Sequence, residues 1–226
     1  MATAEHSSHT MNPLQASLPA EPMQILAAWL DDAWEHRHSP NANSMVLSTV
    51  ATQKGEILPS SRVVLCKHID TTNGYVVFYT NYRSRKGDEL EQNKNAAAVF
   101  HWDKLGRQAR MEGIVIPSPI EESDVYFASR ARDSQVSAWA SAQSEPVATR
   151  ETLLEQLRQT EQRFGDTDSI PRPQHWGGYR MWATAVELWV QGENRLHERV
   201  RWIRTVALDD TGQPHPDSWS ATRLQP

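Results

Sequence analysis

The chain has 226 residues, with 23 Lys plus Arg against 28 Asp plus Glu and a formal charge of −5. That balance argues against general nucleic-acid binding, which needs an excess of cations facing phosphates, so any phosphate affinity must come from local clusters. The single cysteine, Cys66, excludes an intrachain disulfide, and no run approaches the roughly 18 apolar residues of a membrane span; a cytoplasmic protein without a membrane partner is the expectation.

Residues 1–20 are polar and proline-punctuated and read as a flexible N-terminal arm preceding one domain over 21–226. His6 and His9 lie in the arm with no Cys or carboxylate cluster beside them, so no metal site is expected. Pro22 to His36 reads as an amphipathic helix, with Pro22 in the first turn and Ile25, Leu26, Trp29, Leu30, Ala33 and Trp34 as its apolar stripe. From Ser44 the period changes. Met45–Val50 and Arg62–Lys67 are β-rich runs linked by a turn at Gly55, Cys66 reading as a buried strand thiol, and Asn73-Gly74 signals a hairpin into Tyr75–Thr80. A short helix from Ser84 to Gln92 is followed by strands over 96–102 and 107–116. Helices are expected over about 121–129, 134–142 and 149–164, then strands over 181–191, 198–208 and near 221–224. The first three strands are read as hairpin-linked, which predicts an α+β, mainly β, antiparallel barrel with helices outside it. Neither a Gly-x-Gly-x-x-Gly nor a P-loop pattern is present.

Three basic clusters could carry chemistry. Arg83-Ser84-Arg85-Lys86 stands at a helix start, where free amides, a hydroxyl and cations suit a phosphate; a solvated basic turn is the equal alternative. Ser129-Arg-Ala-Arg-Asp-Ser-Gln135 offers two guanidinium forks and Ser134 as a cap of the next helix, against which stands a local Arg–Asp pair. In Gly192–Arg199, an extended backbone would turn Arg195, His197 and Arg199 to one face, an arrangement that reads as an anionic site with an imidazole for polarisation or proton transfer. No nucleophile–base–acid triad and no metal-ligand set is evident. Separate anion sites in an acidic chain point to a phosphorylated ligand with a phosphorylated cofactor; the reaction type stays open on these residues alone.

Taken with their neighbours, these clusters resemble the pyridoxamine (pyridoxine) 5′-phosphate oxidases of the FMN-binding split-barrel fold. The resemblance rests on Arg62-Val-Val-Leu-Cys-Lys67, Phe78-Tyr-Thr-Asn81, Ser84-Arg-Lys86, Ser129–Gln135, Trp139-Ala-Ser-Ala-Gln-Ser144, Trp176-Gly-Gly-Tyr-Arg180, Glu187-Leu-Trp189, Arg195-Leu-His-Glu-Arg199 and Arg223-Leu-Gln-Pro226. These strings occur in the family's order across roughly residues 20–226. The resemblance implies that FMN is held by Arg62, Val63, Val64, Leu65, Cys66, Lys67, Tyr79, Thr80, Arg85, Lys86, Gln108, Gln143, Ser144, Trp189 and Arg199. It implies that the substrate phosphate meets Lys67, Tyr126, Arg130 and Ser134, with Arg195, Leu196 and His197 against the pyridine ring and Arg195 and His197 as the catalytic pair. It implies a homodimer whose pocket forms between two chains, and a hydride passed from the substrate to the flavin, with O2 as the final acceptor.

Three departures stand out. The Arg-Arg-Glu-Tyr stretch common in the family's N-terminal arm is missing, the segment from Ala51 to Ser61 is longer than usual, and Ala131 stands where proline is common. Two rival readings follow: a sister flavin oxidase of phenazine synthesis, similar in the Arg195–Arg199 segment, and a non-catalytic FMN or pyridoxal phosphate binding module.

Overall fold

The computed structural model describes residues 14, 18–36, 39–167 and 169–226. His6, His9 and most of the expected arm lie outside the described residues. Two points of the 1–20 segment are packed down, however: Leu14 is fully buried in the main core, and the Trp202 indole donates to the Pro19 carbonyl at 2.9 Å. Burying a leucine side chain is worth about 2 kcal/mol, so residue 14 itself is held against the core.

Helix α1 (Pro22–Glu35) starts with Pro22 in its first turn and buries Met23, Leu26, Trp29 and Ala33. Trp34, expected on that stripe, is 45 % exposed; it lies five residues on from Trp29, about 140° round the helix. Strands β1 (Ser44–Gln53) and β2 (Glu56–Leu65) then form a long hairpin through Lys54 and Gly55, both at positive φ (51° and 81°). This two-residue turn matches the twist of the strands it joins, so most of the segment from Ala51 to Ser61, expected as a turn, is strand. Asn73-Gly74 closes the predicted hairpin between β3 (His68–Asp70) and β4 (Tyr75–Asn81), with the Asp70 carboxylate accepting from the amides of Thr72 and Asn73.

Next come α2 (Arg85–Gln92), β5 (Asn95–Trp102) and β6 (Arg107–Pro117), then helices α3 (Ile120–Ala128), α4 (Arg132–Ala140) and α5 (Arg150–Phe164). The chain ends with β7 (Trp176–Val190), β8 (Glu198–Ile203), β9 (Val206–Leu208), β10 (Pro214–Pro216) and β11 (Ser220–Leu224). The strand expected over 198–208 is broken at Arg204, whose amide bonds Thr184 while its guanidinium reaches the carbonyls of Asn73, Gly74 and Ala183. The strand expected from 181 begins five residues earlier, at Trp176.

Every ladder is antiparallel, and the main sheet runs β11-β8-β7-β6-β5-β1-β2. The expected hairpin link between the second and third runs, 62–67 and 75–80, is not made: β2 pairs with β1, whereas β4 pairs with β3 and β7. The fifteen-residue β7 explains this. Its first half holds β4, its second half holds β8, and β6 accompanies it throughout, with a register shift between Glu112 and Gly113. The barrel is therefore split along a seam where β2 and β4 approach without hydrogen bonds between them.

The main core lies between the sheet and α1, and includes Trp29, Phe78, Phe100, Met111, Met181 and Trp202. A second cluster of Phe127, Val136, Ala138, Ile170 and Trp176 sits under helices α3–α5. None of the described helices is long and apolar enough to cross a membrane.

Helix α2 packs closely on the turn that leads into it from β4: a Cβ built on Gly87 would stand 1.8 Å from the Tyr82 carbonyl oxygen. Gly87→Ala must push the helix away, and backbone offers no flexible end to give. The expected destabilisation is about 3 kcal/mol, seen in a thermal melt as a Tm drop of about 6–12 °C. An unchanged Tm would show that α2 is not seated as described.

Candidate active site

A cavity of about 540 Å³ opens along the seam. Strand β2 and the turn after it contribute Val63, Val64, Leu65 and Lys67, while β4 contributes Tyr79 and Thr80. Lys86 enters from the first turn of α2, Tyr126 from α3, Arg130, Ala131 and Ser134 from the α3–α4 junction, Gln143 from the loop after α4, and Trp176 from the start of β7. Thus the sequence-predicted residues Val63, Val64, Leu65, Lys67, Tyr79, Thr80, Lys86, Gln143, Tyr126, Arg130 and Ser134 come together around one space. Trp176 and Ala131 join them without having been assigned to the site. Trp176 lay in plain view beside Gly177-Gly178, but only the tertiary arrangement shows which side of the sheet it faces.

Two cations in this wall are held differently. The Lys86 ammonium is buried and donates to Thr80 Oγ1 (3.0 Å), Ser84 Oγ (3.1 Å) and Gln143 Oε1 (2.8 Å). Burial, with Arg62 nearby, lowers its pKa to about 8 against the opposing pull of Glu89. Ser84 occupies the N-cap position of α2, yet its hydroxyl bonds the Asn81 carbonyl at 2.7 Å and makes no capping bond, so it serves Lys86 rather than the helix. Arg130 lies over the Trp176 ring at 4.5 Å and the Phe127 ring at 5.5 Å. Its Nη1 is buried without a hydrogen-bond partner among the described residues, and burial lowers its pKa. Leaving such a donor unsatisfied costs roughly 1–3 kcal/mol, a cost that an anion in the cavity removes. Ser134, expected to cap α4, is instead inside its first turn, because the helix starts at Arg132 with Ala131 as N-cap.

The rings of Tyr79 and Tyr126 stack at 3.8 Å, and Trp176 lies nearly parallel to Tyr79 at 5.5 Å. Planar aromatic walls beside fixed cations suit a flat, phosphorylated ligand.

Other predicted residues sit behind this wall. Arg62 donates to the Leu47 carbonyl, Thr49, Ser60 Oγ (2.5 Å) and Glu89 (2.9 Å), and Arg85 donates its Nε to Glu89 at 2.9 Å. Neither lines the cavity. Glu89 also accepts from Thr49 and from Ser60; burial alone would raise its pKa, but these bonds outweigh burial and hold the carboxyl down at about 2. Cys66 is buried with its thiol on the His68 carbonyl at 3.4 Å, and burial pushes it up to about 12, so it is inert. Ser144, at φ 75°, follows Gln143 but does not line the cavity. Of Glu89, Thr49 and Ser60, only the Arg85–Glu89 spacing was visible locally, as an i,i+4 pair.

The remaining residues form a second cluster elsewhere. Gln108 on β6 is opposite Trp189 on β7, and Trp189 is opposite Arg199 on β8. The His197 ring stands 4.6 Å from Trp189, and its Nδ1 accepts from the Gly192 amide at 3.2 Å. The sequence expectation of an extended Arg195, His197 and Arg199 face is corrected here. Residues Glu193–Arg195 form a tight helical turn, Asn194 and Arg195 take left-handed φ (53° and 65°), and the strand begins only at Glu198. Arg199 is not an unpartnered cation either, since it grips the buried Glu187 at 2.8 Å and the Gln225 carbonyl at 2.8 Å. Arg195 and Leu196 are exposed. Trp189 stands thirteen positions after Trp176 on β7, roughly 40 Å along the strand path, and none of Gln108, Trp189, His197 and Arg199 lines the cavity.

Residues 33–163 match the family model described as pyridoxamine 5′-phosphate oxidase, and residues 176–226 match that described as the pyridoxine 5′-phosphate oxidase C-terminal dimerisation region. Similar proteins include the pyridoxine/pyridoxamine 5′-phosphate oxidases of Salinibacter ruber (45 % identical over 206 residues, 91 % of this chain and 89 % of that one) and Chromohalobacter salexigens (43 % over 210 residues, 93 % and 91 %). The crystal structure of PhzG from Burkholderia lata with tetrahydrophenazine-1-carboxylic acid superposes with a TM-score of 0.81 at 30 % identity, covering 98 % of this chain and 100 % of that one. A pyridoxamine 5′-phosphate oxidase-related, FMN-binding protein from Nostoc punctiforme, 17 % identical, shares the fold with a TM-score of 0.65 over 93 % of this chain and 99 % of that one.

An anion held at Lys86 should bind in a pH-dependent way, because the Lys86 pKa is lowered. Its charge is present below pH about 8 and lost above it, so affinity for a phosphate monoester should fall about tenfold between roughly pH 7 and pH 9. Isothermal titration across that range checks this, and Lys86→Met should give weaker binding with a flat profile.

Proposed function

The chain belongs to the pyridoxamine 5′-phosphate oxidase family, and from that premise we propose that it binds FMN and oxidises pyridoxine 5′-phosphate and pyridoxamine 5′-phosphate to pyridoxal 5′-phosphate with O2 as acceptor, as a cytoplasmic homodimer. The observation that carries the proposal is the seam cavity, with stacked aromatic walls and two separately held cations, one of them with an unpartnered buried nitrogen.

The donor set fits both phosphates. Lys86, Thr80 and Gln143 would hold the cofactor's phosphate, with Val63–Leu65 along the flavin and Arg62 and Arg85 behind. Lys67, Tyr126, Arg130 and Ser134 would hold the substrate's phosphate, where the planar guanidinium fork fixes geometry better than an ammonium. When bound, FMN supplies the two-electron acceptor that the side chains lack and returns the electrons to dioxygen. The protein's part is to set the substrate carbon against it and exclude water, a positioning effect worth several kcal/mol in the barrier.

Arg195, Leu196 and His197 are distant along β7 from the cavity of their own chain. They lie within the stretch that matches the dimerisation region, and two-fold symmetry would carry the partner's cluster to this chain's cavity. In this arrangement Gln108, Trp189 and Arg199 reach the cofactor from the partner, while Arg195 and His197 orient the ring and complement charge developing on it. Ser144 and Cys66 contribute backbone at most.

The similarity to PhzG favours weighing one other substrate, since the acid named with that protein carries a carboxylate and no phosphate. A buried fork beside Ser134 and Lys67 suits the doubly charged phosphate better.

Recombinant protein should be yellow, and should form peroxide and pyridoxal phosphate from pyridoxine phosphate in air. Colourless protein unable to take up FMN would overturn the proposal, and turnover of a reduced phenazine precursor in place of the B6 phosphates would favour the other substrate. Arg130→Ala should raise KM about 100-fold while flavin content stays unchanged. Mixing Arg130→Ala and His197→Ala subunits under exchange should recover about a quarter of wild-type activity, because each heterodimer rebuilds one of its two sites. No recovery would place both residues in one chain's site.

A further inference from the structure

Glu89 is the one buried carboxylate behind the cavity wall, its side chain 4 % exposed, and every lone-pair site on it is used. Thr49 and Ser60 give it their hydroxyl protons, Arg62 gives Nη2 at 2.9 Å, and Arg85 gives Nε at 2.9 Å. A carboxylate accepts about four such bonds, so the group is saturated. Thr49 and Ser60 are direct partners across the β1–β2 ladder, and Leu47, whose carbonyl takes another Arg62 proton, is the partner of Arg62. The two guanidiniums are thereby fixed to a rigid hairpin on one side and to the first turn of α2 on the other. Arg85 spends one of its five N–H groups here and makes no other hydrogen bond among the described residues.

Like-charged groups this close repel, and burial disfavours charge. Without an anion, Arg62, Arg85 and Lys86 would spread apart or lose protons. We propose that Glu89 is a positioning residue for the cofactor: a resident anion that keeps Arg62 and Arg85 oriented behind the cavity wall, so that the phosphate end of the flavin, at Lys86, meets a field of positive charge already in place. The inference rests on the FMN reading above and deepens it. Pre-organisation of this kind adds affinity by removing the ordering cost of two long side chains at the moment of binding.

The opposing possibility is concrete. A carboxylate beside a phosphate site also repels the phosphate, so its removal could tighten binding. A purely structural clamp between β1, β2 and α2 would instead weaken all flavins alike. Riboflavin, which has the ring but no phosphate, separates the three. Full-length protein stripped of flavin is titrated with FMN and with riboflavin, following quenching of flavin fluorescence. Glu89→Gln keeps the shape but exchanges two accepting oxygens for one, beside an amide that clashes with the donors. The expected result is an FMN affinity lowered about tenfold or more, with riboflavin affinity within about twofold of wild type. Ser60→Ala, which removes one donor and leaves the carboxylate in place, should lower the FMN-to-riboflavin preference about threefold, and decides the matter if Glu89→Gln does not fold. Equal losses for both flavins, or a gain for FMN, overturns the positioning role. Wild-type protein that binds FMN no better than riboflavin sinks the phosphate-site assignment itself, a distinct failure.

Discussion

Three cations, Arg62, Arg85 and Lys86, are concentrated where one helix turn meets one strand, and the buried carboxylate of Glu89 offsets their mutual repulsion. The rest of the site follows from that balance. Helix α2 sits on β1 and meets the Tyr82 turn at a distance that only a glycine at position 87 permits, and its charged first turn is neutralised from beneath. Lys86 can then be buried against Thr80 and Gln143 rather than extended into water. A paired buried ion is rarely a net gain in stability over apolar packing. Its presence here is better explained by what it holds in place.

The second constraint is topological. Because β7 is shared between β4 and β8, the sheet cannot close by a ladder between β2 and β4, and their facing edges border a cavity instead of bonding. The same sharing carries the Gln108, Trp189, His197 and Arg199 cluster to the far end of β7. The split barrel thus places the cavity and the second residue cluster towards opposite ends of one strand. In the proposed dimer, a second copy related by a two-fold axis would join the cavity of one chain to the far cluster of the other.

What the sequence made legible was local or carried by an ordered set of motifs. Pro22 set a helix start, Asn73-Gly74 a hairpin, and the order of short strings identified the cavity wall from Val63 to Gln143. What it left hidden depended on long-range partners. Arg62 reads as a ligand-facing cation until Glu89, far along the chain, is seen to hold it. The alternation of Arg195, His197 and Arg199 assumed an extended backbone, and the left-handed residues Asn194 and Arg195 break it. Both are energetically permitted locally: asparagine tolerates that region, and the arginine follows it into a turn closed by the Leu196 amide on the Glu193 carbonyl. The hairpin link between β2 and β4 failed for the same reason. Adjacent strands usually pair, but β4 found a longer partner in β7.

The two cations proposed to hold phosphates, Arg130 and Lys86, differ in kind, and the difference suits the tasks proposed for them. Arg130 keeps its charge when buried, since a guanidinium loses its proton far above neutrality, and the flanking Trp176 and Phe127 rings hold its plane. It therefore presents the same fork at each arrival of a ligand that must come and go. Lys86 is a point charge whose burial has brought it close to losing its proton, retained by three oxygen partners. A phosphate placed there restores its charge and adds the counter-ion it lacks, which favours a ligand that stays. In both cases the chain carries a desolvated cation, Arg130 with an unsatisfied nitrogen and Lys86 with hydrogen bonds only to neutral oxygens, and an anion placed there would relieve it. Binding and stability are then linked through the same side chains: the forces that make the empty protein less stable are those that make it bind.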